Sequence, residues 1–378
     1  MLYYIIFKEL KKNLLLFVGL AVLLISLSSW GNRGHIKIST ASGLSFSAEM
    51  EQFYAWVSTL ANHASDADYR KQTDPNEAPR HYIDIDNYDE FISTGIIPQT
   101  LDSAIAIHGA NFVYDMGVLP WATLNSYDSL VSCMERHDWD KAVLFASDLG
   151  HYVADGYMPL HLTLNYNGQY TGNNGIHSRF ESTMINAHIS EFIYEGYETN
   201  KVENVNQYVF DYIYSNYQLF DSVIEADNYA KGFSTNTNST AYKQALWDVS
   251  KDFTLELFKG ASHAISELLY TAWVEAGSPL ISPDFVSTTS IANNLQIENI
   301  FPNPFISSIT ISLDVASTSN VKIQIKDLYG KLETTIFNDR LEGKSHIFNW
   351  DTSDLKPGIY FVYVSSENYS ACQKIVKL

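Results

Sequence analysis

Two cysteines, Cys133 and Cys372, are all the thiols in 378 residues. That excludes a disulfide framework, and neither has a partner at zinc-finger spacing. Positive charge is scarce as well: 24 Lys and Arg stand against 43 Asp and Glu, a net charge of -19. A chain this acidic does not wrap nucleic acid in a basic groove. It is well suited to hold cations, and a polyanion has to meet it through them. Apolar content is not lacking. At 46% apolar and 14% aromatic, the chain is globular, and its length allows two domains with their own cores.

Residues 1–29 read as a signal peptide. Lys8, Lys11 and Lys12 form the charged start, Leu14 to Leu27 the apolar stretch, and Ser28-Ser29 the small residues before a cut. The alternative is a retained membrane anchor, since the stretch is near the lower length for a span. Cleavage would remove three lysines and one glutamate and leave a net charge of -21.

Strand-like alternation is scarce from about residue 46 to residue 276. There apolar residues recur at three and four, as in Met50, Phe53, Tyr54, Val57, Leu60 and Ala61. The same period predicts helices over Lys141–Ala154, Phe180–Phe192, Val205–Ile224 and Ala241–Ala272. Gln72–Pro79 and Asn165–Asn174 read as long polar loops, of the kind that often carries function. A Ser- and Pro-containing stretch over 277–293 reads as a linker. Beyond it the period becomes two, in Ile309–Leu313, Val321–Ile325 and Tyr360–Val364, with turns at Tyr329-Gly330, Glu342-Gly343 and Pro357-Gly358. This predicts a mainly α domain (30–276) followed by a small all-β sandwich (294–378).

The chemistry-bearing residues lie in the helical part. His151 and Asp155 are four apart in a helical stretch and share one face, and His177 and Glu181 repeat that spacing. Pro159 ends the first helix, and His161 follows two residues later. His81 stands in Arg80-His81-Tyr82-Ile83-Asp84, downstream of Asp66 and Asp68. Any one histidine alone is better read as a core or surface residue, and His63, His108, His137, His188, His263 and His346 are so assigned. Two His-x3-acid pairs with further histidines beside acids make a different pattern. Neutral imidazole and carboxylate are the ligands zinc takes when sulfur is absent. A cut before Trp30 would add an α-amine and a carbonyl oxygen that chelate one cation in a five-membered ring. His35 can supply a third ligand there.

Trp30-Gly31-Asn32-Arg33-Gly34-His35, Arg80-His81-Tyr82-Ile83-Asp84, His151-x3-Asp155-x5-His161 and His177-x3-Glu181 together resemble the zinc-dependent phospholipase C / S1–P1 nuclease superfamily. The resemblance implies a helical fold with three zinc ions (Zn2+) in a cleft. One would take Asp68, His81, His151 and Asp155, and a second His161, His177 and Glu181. A third would take the Trp30 amine and carbonyl, His35 and again Asp155. Asp68 is preferred to Asp66 because Ala67-Asp68-Tyr69-Arg70 fits the family's order. Asp68 and Asp155 are the implied catalytic carboxylates, and the reaction is in-line attack of a metal-activated water on a phosphodiester. Glu181 resembles the phospholipases; the five-residue step from Trp30 to His35 resembles the nucleases. Phospholipid is slightly favoured as substrate, with single-stranded nucleic acid the alternative. A non-catalytic, metal-stabilised adhesion module is a third reading.

Phe301-Pro302-Asn303-Pro304-Phe305, Lys326–Lys331, Leu355–Tyr360 and the ending Gln373–Leu378 resemble the type A C-terminal sorting domain of the Bacteroidetes type IX secretion system. This implies the secretion machinery as a partner and a secreted or surface location.

Overall fold

The computed structural model describes residues 30–281 and 295–377, except 304, 316, 328–330 and 367–368. The expected signal peptide and most of the expected linker lie outside the described residues, as does Tyr329-Gly330. The chain divides into two compact units, Met1–Pro279 and Leu280–Leu378. Among the described residues no helix is long and apolar enough to cross a membrane.

The first unit is helical. It opens with α1 (Gly31–Ser42), α2 (Val57–Asn62) and α3 (Asp66–Arg70). Three short helices follow: α4 (Asp89–Thr94), α5 (Leu101–His108) and α6 (Ala110–Asp115). Next come α7 (Leu119–Glu135) and α8 (Trp139–Gly156). A π turn over Arg179–Met184 joins α9 (Ile176–Ser178) to α10 (Ile185–His188). The unit ends with α11 (Val205–Tyr217), α12 (Phe220–Phe233) and α13 (Thr240–Glu275).

Helix α13, at 36 residues, runs about 54 Å. The Ser239 side chain starts it by accepting from the Tyr242 amide at 3.2 Å. Leu246, Ser250, Leu257, Phe258, Ala261, Ile265, Leu268 and Ala272 make its buried stripe. Through that stripe it packs on α12, α1, α7 and α8. Helix α8 buries Ala142, Ala146, Leu149, Tyr152 and Val153, and the same face brings His151 and Asp155 inside.

Three helix expectations need correction, one of them Phe180–Phe192, which is a π turn, the short helix α10 and a 3-10 turn, Ile189–Glu191. Val205–Ile224 is not one helix; it breaks at Gln218-Leu219, where the sequence has no Gly or Pro to mark the break. The two pieces serve different neighbours. Val209, Phe210 and Ile213 of α11 join the cluster around Ile83, Ile85 and Tyr88, and α12 lies on α13. Near the turn, Asn216 Nδ2 donates to the Gly156 carbonyl at the end of α8 (3.0 Å). The expected helix around Met50–Ala61 is a 3-10 segment, Ala48–Trp56, before it becomes α2.

The second unit is a sandwich of two antiparallel sheets, ordered β1-β2-β5 and β4-β3-β6-β7. The strands are β1 (Leu295–Phe301), β2 (Ser308–Val315), β3 (Ser319–Asp327), β4 (Leu332–Leu341), β5 (Ser345–Asp351), β6 (Gly358–Ser366) and β7 (Tyr369–Lys377). Alternation decides the burial: Ile309, Ile311 and Leu313 of β2 face Val321, Ile323 and Ile325 of β3 and Val362 and Val364 of β6 in one core. Cys133 and Cys372 form no disulfide.

Candidate metal centre

Six segments of the helical unit converge, among them α8 with His151 and Asp155 and the stretch from α9 into the π turn with His177 and Glu181. The tight start Trp30-Gly31 feeds α1 and places His35 one turn in. Gly31 adopts φ +58, and a side chain on Gly34 would stand 2.7 Å from Trp30 Cβ, so both glycines let the turn close over the indole. The buried Trp30 donates from Nε1 to the Ala154 carbonyl at 2.8 Å, which fixes α1 beside Asp155. Helix α3 carries Asp68. His81 ends a 3-10 turn, Ala78–His81, and Pro159 starts another that carries His161. The two turns are tied: the Ile83 amide donates to the His161 carbonyl (2.8 Å), and His161 Nδ1 donates to the His81 carbonyl (2.6 Å).

Asp155 lies at the middle, fully buried. Its carboxylate is 2.9 Å from His81 Nδ1, 3.3 Å from His151 Nε2, 3.5 Å from His35 Nε2 and 3.9 Å from His161 Nδ1. Asp68 Oδ1 is 3.7 Å from His81 Nδ1 and 3.8 Å from His151 Nε2. Asp66 faces elsewhere and pairs with the half-buried His63 at 2.6 Å. His177 Nε2 is 2.9 Å from Glu181 Oε2 and 3.2 Å from His161 Nε2. Glu181 sits in the π turn, so the pair meets on a widened helix instead of the α-helix its spacing predicts.

The residues thus form three adjoining groups able to hold a metal ion: His35, His151 and Asp155; Asp68, His81 and His151; and His161, His177 and Glu181. Ligand atoms within each group lie within 4.8 Å of one another. Of the nine expected residues, eight meet through their side chains. Trp30 adjoins them through its indole contact, and its expected ligands are main-chain atoms.

Chemistry tests whether these donors fit a cation. A carbonyl only accepts, so the contacts of His151 Nδ1 with Ala64 O (2.7 Å) and of His161 Nδ1 with His81 O put the ring proton on Nδ1. Their Nε2 lone pairs then face other imidazole nitrogens: His151 Nε2 is 2.9 Å from His81 Nδ1, and His161 Nε2 is 3.2 Å from His177 Nε2. Bare lone pairs at those distances repel unless a proton or a metal ion lies between them. Both nitrogens of His35, Asp68 Oδ2, Asp155 Oδ1 and Glu181 Oε2 are buried without a hydrogen-bond partner. Buried polar atoms of that kind call for an ion. The donor set fits a divalent metal that accepts nitrogen and oxygen.

The electrostatics of the ligand side chains points the same way. Burial opposes charge on Asp155, yet His151, His81 and His161 hold its carboxyl well below the usual range. Burial also opposes a proton on His151, but Asp155 and Asp68 outweigh it and raise the ring to about 9. His35, pushed down to about 3 by burial and by His151, is a neutral ligand at any ordinary pH.

A cavity of about 320 Å³ opens beside the centre, lined by Lys71, Ala78, Tyr82, Asp84, Leu160 and Tyr166 together with His81, His161 and His177. Three nearby residues escaped the sequence reading. Lys71, largely buried, places Nζ 2.7 Å from Asp68 Oδ1. Asp84 is buried, and that burial, with repulsion from Asp86, lifts its carboxyl to about 7 against the pull of His161. Glu77 is a buried carboxylate four residues before His81. The only signal for Lys71 and Glu77 was their spacing, three after Asp68 and four before His81.

Residues 299–378 match the family described as the secretion system C-terminal sorting domain. The second unit is therefore an export address, and the protein is sent by type IX secretion to the cell surface or the extracellular space. No curated protein matches the chain. Among solved structures, the alpha toxin from Clostridium absonum is similar at 13% identity and a TM-score of 0.42, covering 91% of this chain and 96% of that one. The Clostridium perfringens alpha-toxin from avian strain SWCP is similar at 12% identity, with the same coverage and score. Likeness at that score decides nothing about the site.

Proposed function

We propose that the helical unit is a secreted zinc-dependent phosphodiesterase of the phospholipase C kind, holding three zinc ions through Trp30, His35, Asp68, His81, His151, Asp155, His161, His177 and Glu181. One observation carries this reading: three metal-competent groups adjoin one another through His151 and Asp155 and border an open cavity. A purely structural zinc site is closed and rarely has neighbours this near. Bound zinc would supply Lewis acidity that activates water and offsets phosphodiester charge.

The chain's own residues do the rest. Asp155 holds the imidazoles of His81, His151 and His35 around one point. Asp68 offers an unpartnered oxygen, Oδ2, as proton acceptor for water at the same place. Lys71 brings a compact positive charge to the cavity wall, where a non-bridging phosphate oxygen would lie. Tyr82, Tyr166 and Leu160 give the cavity apolar sides that exclude water from the reacting group.

The cavity also favours a second reading, a single-strand nuclease with the same three ions. Tyr82 and Tyr166 offer ring faces for a base, and Asp84 offers a carboxyl that can donate or accept at its edge. Hydrolysis of bis(p-nitrophenyl) phosphate, with and without chelator, tests the class. Turnover that chelation abolishes and zinc restores is expected; no zinc-dependent turnover would leave the adhesion-module reading. Parallel assays on phosphatidylcholine and single-stranded DNA separate the two substrates.

A further inference from the structure

Glu77 lies outside the nine residues above, yet it is among the most heavily contacted carboxylates of the unit. Its side chain is buried at the start of the turn that carries His81. Oε2 accepts from Arg70 Nε at 3.2 Å and from Arg80 Nη1 at 3.5 Å. Oε1 accepts from the Tyr152 hydroxyl and stands 3.4 Å from His81 Nε2. Arg70 reaches on to Asp148 Oδ1 at 2.9 Å. Asp148 and Tyr152 flank His151 on α8, and Arg70 ends the helix that bears Asp68. One carboxylate therefore ties together the three elements that build the central groups.

His81 is also the exception among the imidazoles. His151, His161 and His177 each turn Nδ1 to a main-chain carbonyl and leave Nε2 for the centre. His81 turns Nδ1 to the centre, 2.9 Å from Asp155 Oδ2; its buried Nε2 makes no hydrogen bond, and Glu77 Oε1 stands 3.4 Å from it. We propose that Glu77 is a positioning residue that keeps the His81 proton on Nε2, so that Nδ1 is the atom His81 gives to metal. The inference rests on the metal reading. Glu77 accepts from two arginine guanidinium groups and the Tyr152 hydroxyl, contacts that suit a carboxylate, so the group facing His81 is an anion, not a neutral carbonyl. An anionic partner raises imidazole basicity and strengthens its bond to a metal.

The test is histidine ring 15N NMR on the full chain, zinc-loaded and chelator-treated, for wild type, Glu77→Gln and Tyr152→Phe. In wild type a proton on His81 Nε2 is expected in both states, with His151, His161 and His177 protonated on Nδ1 when zinc is bound. Glu77→Gln keeps volume and an acceptor for Arg70 and should fold. It is expected to lose that Nε2 proton and to bind zinc about 10–100-fold more weakly by competition with a chromophoric chelator. Tyr152→Phe leaves the carboxylate in place and is expected to retain the Nε2 proton. A wild-type His81 protonated only on Nδ1, or a Glu77→Gln protein unchanged in both readouts, overturns the proposal. A wild type that binds no divalent metal defeats the phosphodiesterase reading instead, while the chelator-treated spectra still decide on Glu77.

Discussion

Asp84→Asn is expected to make the protein more stable and less active, and the pH dependence separates the two causes. The Asp84 carboxyl titrates at about 7 in the folded chain against 3.8 as the ordinary value, chiefly because burial disfavours its charge. An unfolded chain therefore ionises this group first, and stability falls as pH rises from the ordinary value toward about 7, then stays level. Linkage puts the loss from this one group at about 1.7 kcal/mol at pH 5 and about 4.3 kcal/mol at pH 8.5. Asparagine has no such term and nearly the same shape.

Urea unfolding of chelator-treated wild type and variant, extrapolated to water, measures that difference. Without metal, the positive charge that draws on the Asp84 carboxyl is that of His161, and it is present in both proteins. The variant should be the more stable at pH 8.5, and its lead should shrink by about 2.6 kcal/mol on going to pH 5. A lead that does not change with pH, or a variant less stable at pH 8.5, refutes the assignment of burial as the cause. An acid kept at that cost on a cavity wall is expected to touch substrate. The kcat/KM of the variant should accordingly fall by about 10-fold or more, the loss of one hydrogen bond.

Asp155→Asn removes the carboxylate shared by four imidazoles. It should lower bound metal by at least one equivalent by elemental analysis and cut turnover by at least about 100-fold. Lys71→Met should leave metal content unchanged and lower kcat/KM by about 10–100-fold, the worth of a charged hydrogen bond to substrate. Gly156→Ala would put a methyl group 2.6 Å from the Tyr212 ring, which stacks on Tyr157 with ring centroids 4.8 Å apart and has no room to swing. Urea unfolding should show a loss of about 1–3 kcal/mol.

Local spacing made the ligand-bearing helices legible. His151 and Asp155 sit on the buried face of α8 because four residues make one turn, and no tertiary knowledge is needed to see it. His177 and Glu181 meet in spite of a π turn that the sequence does not announce. Gly31 and Gly34 carried a second message, that the chain folds tightly over Trp30, which only the buried indole explains. The switch from period four to period two separated the units equally well. What stayed hidden depended on distant partners. Glu77 lies in Gln72–Pro79, a long polar loop that could carry function but singles out no residue; its burial comes from Arg70 and Tyr152, which only the folded unit brings to it. Asp84 looked like one acid among many. The break between α11 and α12 has no local breaker, since each piece is drawn to a different neighbour.

An acidic chain proposed to act on an anion looks contradictory until charge is counted locally. Asp68, Asp155 and Glu181 are three buried or nearly buried carboxylates within one centre, and neutral imidazoles do not cancel them. In the metal-free protein the raised His151 shows the centre drawing in protons to make up the deficit. Divalent ions in the three groups would exceed that deficit and leave an excess of positive charge facing the cavity, with Lys71 beside it. Surface carboxylates more than about 8 Å away are largely screened at physiological salt, whereas such an excess would not be. The -19 of the whole chain and the attraction of a phosphodiester to one cavity are then compatible, because the first is spread over solvent and the second is fixed inside.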